Sequence, residues 1–467
     1  MPFSVQSILR DYQARVAEDV SAHFKAGVTR VLVQMSTGAG KTVLAAYLMQ
    51  RCITAGRTVY FLCHRDELVA GTSRTLLRYG IPHGVIAAGH ARVTNAAIQV
   101  CSIGTLKSLL GSVPVPWLVI VDETHHSRAE GWETVIDHFT TRGARLVGLT
   151  ATPKRLDNRG LGAHFDAIVC GPTTRDLIDR GHLSRFRHFF PPEAGTELVG
   201  DPVDHWRRLA AGLRTVVFAK NVAHSRWVVK QFCDAGIPAA HLDGGTPRGE
   251  RREIIRRYAA GELLVLSNVD LFGEGFDLAA VAQADVTIDC VMMLRRTKSL
   301  SLYLQWAGRG LRPAPGKTAV ILDHAGNWYL HDDIDADRDW TLGDDTGAVK
   351  RDGNVPAPFT CPQCFGQVRY PYPMFCPTVY PDGTKCGHQL RKQIEERTIE
   401  FREGELREMA EREREAERWR RKSEDAEAQT LAELTALGRQ RGYKDPHKWA
   451  FMKWSARNRA RRRGAEL

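Results

Sequence analysis

The stretch STGAGKT, from Ser36 to Thr42, brings together two glycines, a lysine and a hydroxyl. Gly38 and Gly40 let backbone N–H groups approach phosphate closely, Lys41 reaches the β- and γ-phosphates of a nucleotide, and the Thr42 hydroxyl suits Mg2+. Met35 stands where the general phosphate-loop pattern has its first glycine. A second element, WLVIVDETHH, ends an apolar run on Asp122 and Glu123. Neighbouring strand residues point to opposite faces. Asp122 is therefore expected at the Mg2+, with Glu123 polarising a water for in-line attack on the γ-phosphate. A third element, SLYLQWAGRGLRP, carries Gln305, Arg309 and Arg312 at offsets of four and three, which one helix face would align. An arginine arriving across a cleft stabilises phosphoryl-transfer charge by ~10³–10⁵ in rate. Taken singly, these are a strand–helix turn, a pair of solvated acids and a basic helix; their joint presence makes a nucleotide site.

Four cysteines need another chemistry. Cys361, Cys364, Cys376 and Cys386 are separated by two, eleven and nine residues, the pattern of a four-cysteine zinc ribbon. Their segment is rich in proline and poor in aliphatic residues, so metal binding, at ~10–16 kcal/mol, must replace a core. An iron–sulfur cluster is the other metal reading, and His388 is a substitute ligand for Cys386. A disulfide pair fits a cytosolic chain poorly. The other six cysteines (Cys52, Cys63, Cys101, Cys170, Cys233 and Cys290) are expected to be small buried hydrophobes.

The elements that must hold these residues alternate short apolar runs with helical stretches. RVLVQM, TVYFLC, AIQVCS, WLVIVDE and RLVGLTAT form one set; RTVVFA, AAHLD, LLVLSN, ADVTIDC and TAVILD form another. This predicts an α/β fold of two tandem doubly wound lobes with parallel sheets, residues 1–190 and 203–345, joined through FRHFFPPEAGTELVGDPVDHW. A zinc ribbon (355–392), a charged helix (393–438) and a basic, aromatic tail (439–467) follow. In open parallel sheets the ligand lies at the carboxyl ends of the strands, and each motif above falls just after one.

Net charge is +11, and Arg439–Arg463 holds ten Lys/Arg against one acid, Asp445. Tyr443, Trp449, Phe451 and Trp454 interleave with those cations, as base-stacking residues would, or as a helix packing on a protein surface would. No apolar run nears the ~18 residues of a membrane span, and the first residues lack a signal-peptide core, so a cytoplasmic monomer without membrane contact is expected.

Together these motifs resemble superfamily 2 helicases of the DEAD/DEAH-box class, over about residues 9–326 and in the family's motif order. The resemblance implies RecA-like lobes and ATP-driven movement on nucleic acid. LRDYQ is similar to the adenine-recognition segment, implying Arg10 and Gln13 at the base. MSTGAGKT is similar to motif I, DETH to motif II, TAT (Thr150–Thr152) to motif III and QWAGRGLR to motif VI. GEGFD resembles motif V, implying Gly275 and Asp277 near the ribose. HRDEL, SIGTL and FAKNVAHS resemble motifs Ia, Ib and IV, implying strand contacts at Arg65, Thr105, Lys220 and Asn221. Thr124 departs from the usual Ala or Cys of motif II, and Val269 from a threonine common in motif V. His125 is expected to link motifs II and VI, rather than to bind metal with His126. HLDGGTPRGER and the late cysteine cluster are similar to RadD-like bacterial and phage DNA helicases. That branch implies single-stranded or branched DNA as substrate, repair or recombination proteins as partners, and ATP, Mg2+ and Zn2+ as cofactors. An RNA helicase, the motor subunit of a restriction or defence complex, and a zinc-dependent DNA-binding scaffold are the alternatives.

Overall fold

The computed structural model describes residues 9–63, 66–91, 93–124, 131–155, 159–191, 197–272, 278, 286–349, 359–361, 363–369, 372–380, 382–390, 424, 428, 430–441, 445–451 and 453–454. Arg65, Gly275 and Asp277 lie outside the described residues, as do His125, His126, Tyr443 and most of the expected charged helix. The chain divides into two compact units, 1–394 and 395–467.

The first unit begins with α1 (Asp11–Lys25), β1 (Arg30–Gln34), α2 (Lys41–Thr54), β2 (Val59–Cys63), α3 (Asp66–Arg78), β3 (Gly84–Ile86), β4 (Ile98–Ser102), α4 (Ile103–Lys107), β5 (Leu118–Val121), α5 (Trp132–Thr140), β6 (Arg145–Thr150), β7 (Ala167–Cys170) and α6 (Thr174–Asp179). The seven strands form one parallel sheet in the order β3-β4-β2-β5-β6-β1-β7. β2, β4 and β5 are buried at every position, which is why they read as unbroken apolar runs rather than alternating ones.

A second lobe follows: β8 (Arg185–Phe189), α7 (Pro202–Leu209), β9 (Thr215–Ala219), α8 (Val222–Asp234), β10 (Ala239–Leu242), α9 (Arg248–Ala259), β11 (Val265–Asn268), β12 (Cys290–Leu294), α10 (Leu300–Gly310), β13 (Thr318–Asp323) and α11 (Trp328–His331). Its parallel sheet runs β10-β11-β9-β12-β13-β8. Two expectations change here. β8 lies within the segment assigned to the first lobe and its connection, yet it pairs with β13 from Arg185 to Phe189, so the second sheet begins before residue 190. The strand expected at ADVTIDC is instead Cys290–Leu294, because register with β9 and β13 buries CVMML completely.

After α11 the chain returns to the first lobe. β14 (Arg338–Asp339) and β15 (Ala348–Val349) form a small hairpin. Between them, the Leu342 carbonyl accepts from the Gly162 N–H at 2.9 Å and the Asp344 carboxylate from the Gly160 N–H at 2.9 Å. Residues 332–349 thus form a strap joining both lobes, where sequence reading saw only the tail of the second. The cysteine segment follows as β16 (Phe359–Thr360) and β17 (Gln367–Val368), with Gly366 bridged to Phe189 on the edge strand β8.

In the second unit α12 (Leu431–Gln440) starts at a Thr430 capping box and crosses the expected boundary at 438. Trp449 packs over Gly438, while Phe451 and Trp454 are exposed, so the tail's aromatics divide between packing and surface.

Candidate functional site

The phosphate loop sits at the carboxyl end of β1. Gly40, at φ +84°, starts α2 in the left-handed region, where a Cβ would overlap the Gln13 amide. Gln13 is buried, and its Nε2 donates to the carbonyls of Ala39 at 3.1 Å and Gly40 at 3.2 Å. The Tyr12 hydroxyl donates to Ala39 O at 2.9 Å and accepts from Arg10 Nη1 at 2.9 Å. The segment expected at an adenine base therefore also braces the loop from below. Lys41 Nζ donates to Met35 O at 3.2 Å, across the loop's mouth.

Asp122 and Glu123 lie just past the end of β5 rather than on it. Glu123 adopts φ +49°, and its N–H donates to Asp122 Oδ1 at 3.0 Å. The two acids are thus separated by a left-handed turn, not by strand alternation as expected. Thr124 is fully buried and donates to Leu149 O at 2.9 Å, pinning this turn to the end of β6. A threonine suits the position because a buried hydroxyl there finds a carbonyl. Burial, reinforced by the neighbouring Glu123 charge, pushes the Asp122 carboxyl up to about 7, while Lys41 opposes the rise. An acid so short of positive charge fits a Mg2+ site, with Thr42 half-buried at the first turn of α2.

The opposite wall is α10. Ser299 caps it, accepting from the Leu302 N–H, and Trp306 stacks on Phe218 of β9 at 5.1 Å. A Cβ on Gly308 would lie 2.6 Å from the Thr37 Cβ, so backbone of the second lobe rests directly on the phosphate loop of the first. Gln305 is buried and Arg309 half-buried on this helix. Arg312 is not on it: α10 ends at Gly310 with Leu311 as its cap. Pro313 explains the stop, since it disfavours helical backbone at the residue before it.

Sequence reading missed what braces this interface. Thr174, opening α6, donates to the Ser36 hydroxyl in the loop at 3.0 Å. Next to it Arg175 pairs with Asp335 of the strap, whose side chain is 1% exposed, and Arg369 of the cysteine segment reaches the same carboxylate at 3.0 Å. The acid-rich run DDIDAD was visible in the sequence, but its partners lie more than thirty positions away on either side.

Among the expected strand contacts, Thr105 is half-buried on α4 and Lys220 is exposed. Asn221 caps α8, its Oδ1 accepting from the His224 N–H at 2.8 Å.

The four cysteines do converge. Their sulfurs all lie within 4.8 Å of one another, with Cys364–Cys376 at 3.5 Å and Cys361–Cys386 at 3.9 Å. A tetrahedron with Zn–S of ~2.3 Å has edges of about 3.8 Å, so the set fits a zinc ribbon. The hydrogen bond shared with the Cys364 sulfur holds the Cys376 thiol well below its ordinary range. His388 is not in the convergent set. Of the scattered cysteines, Cys52, Cys63, Cys101 and Cys290 are buried as expected, but Cys170 and Cys233 are exposed, each at or near an element's end.

Residues 6–155 match the family of the type III restriction enzyme res subunit, and residues 202–314 match the helicase conserved C-terminal domain. The chain is a superfamily 2 helicase. As such it is an ATP-hydrolysing enzyme. This helicase is 29% identical over 355 residues to a 51.5 kDa protein of a Lactococcus phage, covering 71% of this chain and 74% of the relative. It is 30% identical over 357 residues to irc3 of Schizosaccharomyces pombe, classed among mitochondrial ATP-dependent helicases, covering 68% of this chain and 57% of the relative. The fold is similar to that of an ATP-dependent type ISP restriction-modification enzyme, with a TM-score of 0.51 and 17% identity over 67% of this chain and 27% of that one. Among the described residues no helix is long and apolar enough to cross a membrane.

Proposed function

We propose that this helicase is a DNA translocase that burns ATP at the seam between its lobes. The observation that carries the reading is the seat of α10 on the phosphate loop, Gly308 against Thr37. In this reading Lys41 and the loop N–H groups bind the phosphates, and Thr42 and Asp122 would hold Mg2+, which neutralises phosphate charge. Glu123 orients and deprotonates the attacking water. Arg309 from α10, with Arg312 beyond its end and Gln305 behind, meets the charge that develops on the γ-phosphate. Hydrolysis removes that anchor, and the lobes part. Arg65, Thr105 and Lys220 then hold a strand across the lobes by its phosphates, with Asn221 divided between this and capping α8. The four cysteines hold zinc.

DNA rather than RNA as the track is supported by one point: the fold-mate of the restriction-modification class is described bound to DNA. A place in repair or recombination rests on the RadD-like sequence features alone. The test is the ATPase rate with no nucleic acid, single-stranded DNA, duplex DNA and RNA, beside Glu123→Gln. DNA should stimulate turnover, steeply less so as salt rises. Turnover that survives Glu123→Gln would refute the assigned chemistry, and stimulation by RNA alone would refute the DNA track.

A further inference from the structure

Away from the ATP seam, between edge strand β8 and the cysteine ribbon, the surface opens into a groove of about 690 Å³. Its charged lining is four arginines, Arg175, Arg185, Arg187 and Arg369, against Asp179 and Asp335. Two of the arginines are already held: Asp335, almost wholly buried, pairs with both Arg175 and Arg369. Arg185 and Arg187 stand two apart on β8 and so face the same way. Among the described residues no carboxylate pairs with either. Arg187 is half-buried, its guanidinium 5.7 Å from the Phe189 ring centroid. Besides that ring, the Cys290 and Cys364 sulfurs lie near Arg187, and Arg185 beside it is exposed, so the pair offers two cations to an anion in the groove.

We infer that this groove binds the phosphodiester backbone of a single nucleic-acid strand through Arg185 and Arg187, apart from the track across the lobes. A volume of about 690 Å³ is that of a small-molecule pocket, room for a nucleotide or two rather than a duplex. Apolar wall residues such as the half-buried Phe186 and the exposed Val379 supply surface for sugars and bases beside the cations. The groove is also linked to the nucleotide site through α6. Arg175 follows Thr174, which holds Ser36 of the phosphate loop, so a strand pulling on α6 acts one residue from that contact. The inference rests on the nucleic-acid reading above.

The experiment uses the full chain and the double variant Arg185→Gln/Arg187→Gln. Anisotropy of a labelled oligo-dT is measured over a range of salt, with inorganic phosphate as competitor; metal content and ATPase without DNA are measured alongside. The expected result is about a tenfold weaker Kd and a salt slope smaller by ~1.4, at ~0.7 for each phosphate of a single strand that an arginine no longer neutralises. Metal content and basal turnover should stay unchanged, and millimolar phosphate should not displace the oligonucleotide. An unchanged slope overturns the inference. So does a loss of bound metal in the double variant, which would assign the arginines to balancing the thiolates, and so does full displacement by phosphate. A wild-type chain that binds no oligonucleotide sinks the translocase reading itself, a result distinct from a wild type that binds and a variant that binds equally.

Discussion

Gly308→Ala isolates the contact on which coupling between the lobes depends. The added Cβ would lie 2.6 Å from Thr37 Cβ and 2.7 Å from Thr37 Cγ2. Carbon atoms settle at ~3.5–4.0 Å, so helix and loop must separate by roughly 1 Å. The loop holds the phosphates and the helix carries Arg309, so the separation falls on the reacting groups. A misplacement of that size costs on the order of 10²-fold in rate. Alanine meanwhile favours helix over glycine by ~1 kcal/mol, so the fold should not weaken much. Steady-state ATP hydrolysis at saturating DNA, beside a thermal melt, separates the two effects. The expected outcome is a kcat about 100-fold lower with Tm held or raised, and recovery of at least about tenfold when Thr37→Gly removes the opposing Cβ. Gly310→Ala, whose Cβ meets side chains of its own lobe, Val291 at 3.2 Å and Ile321 at 3.5 Å, serves as control. A Gly308→Ala kcat within about threefold of wild type, or an equal fall in the Gly310→Ala control, would refute the reasoning.

Asp335→Asn should lower unfolding stability by about 3 kcal/mol, because it leaves two arginines around a buried neutral amide; the urea midpoint measures it, and an unchanged midpoint would show the junction to be passive. Asp122 carries a proton in the folded chain that the unfolded chain loses near its ordinary 3.8, so this group's stabilisation is present at low pH and is lost as pH rises toward about 7. Asp122→Asn should therefore be more stable than wild type at pH 8, by on the order of 3 kcal/mol without Mg2+ or nucleotide, and no different near pH 4, while turnover disappears. Chelation or Cys361→Ser should unfold residues 359–390 while ATP binding persists at reduced affinity; proteolysis of that segment beside nucleotide titration reads both, and a ribbon that resists protease without metal would remove its assigned role.

Much of the site was legible because it is local. STGAGKT, DE and QWAGR each occupy one strand end or one helix, where a few contiguous residue types define the chemistry, and unbroken apolar runs announced parallel sheets buried on both faces. The four-cysteine set was legible for the same reason, since chelation leaves its mark in spacing. Register and reach were not. CVMML became the strand because β9 and β13 flank it, and β8 joined the second sheet through pairing with residues 133 positions later. Arg312 lay off its helix because one proline outweighed a periodicity that looked continuous. Asp335 found its guanidiniums, and Gly308 its threonine, only once two sheets and a strap had closed around them. The sequence by itself determined which groups this helicase can bring to a phosphate, because that depends on residue type within a turn or two. Tertiary structure alone decided which surfaces touch across the cleft, because those contacts depend on distances between segments that no local pattern records.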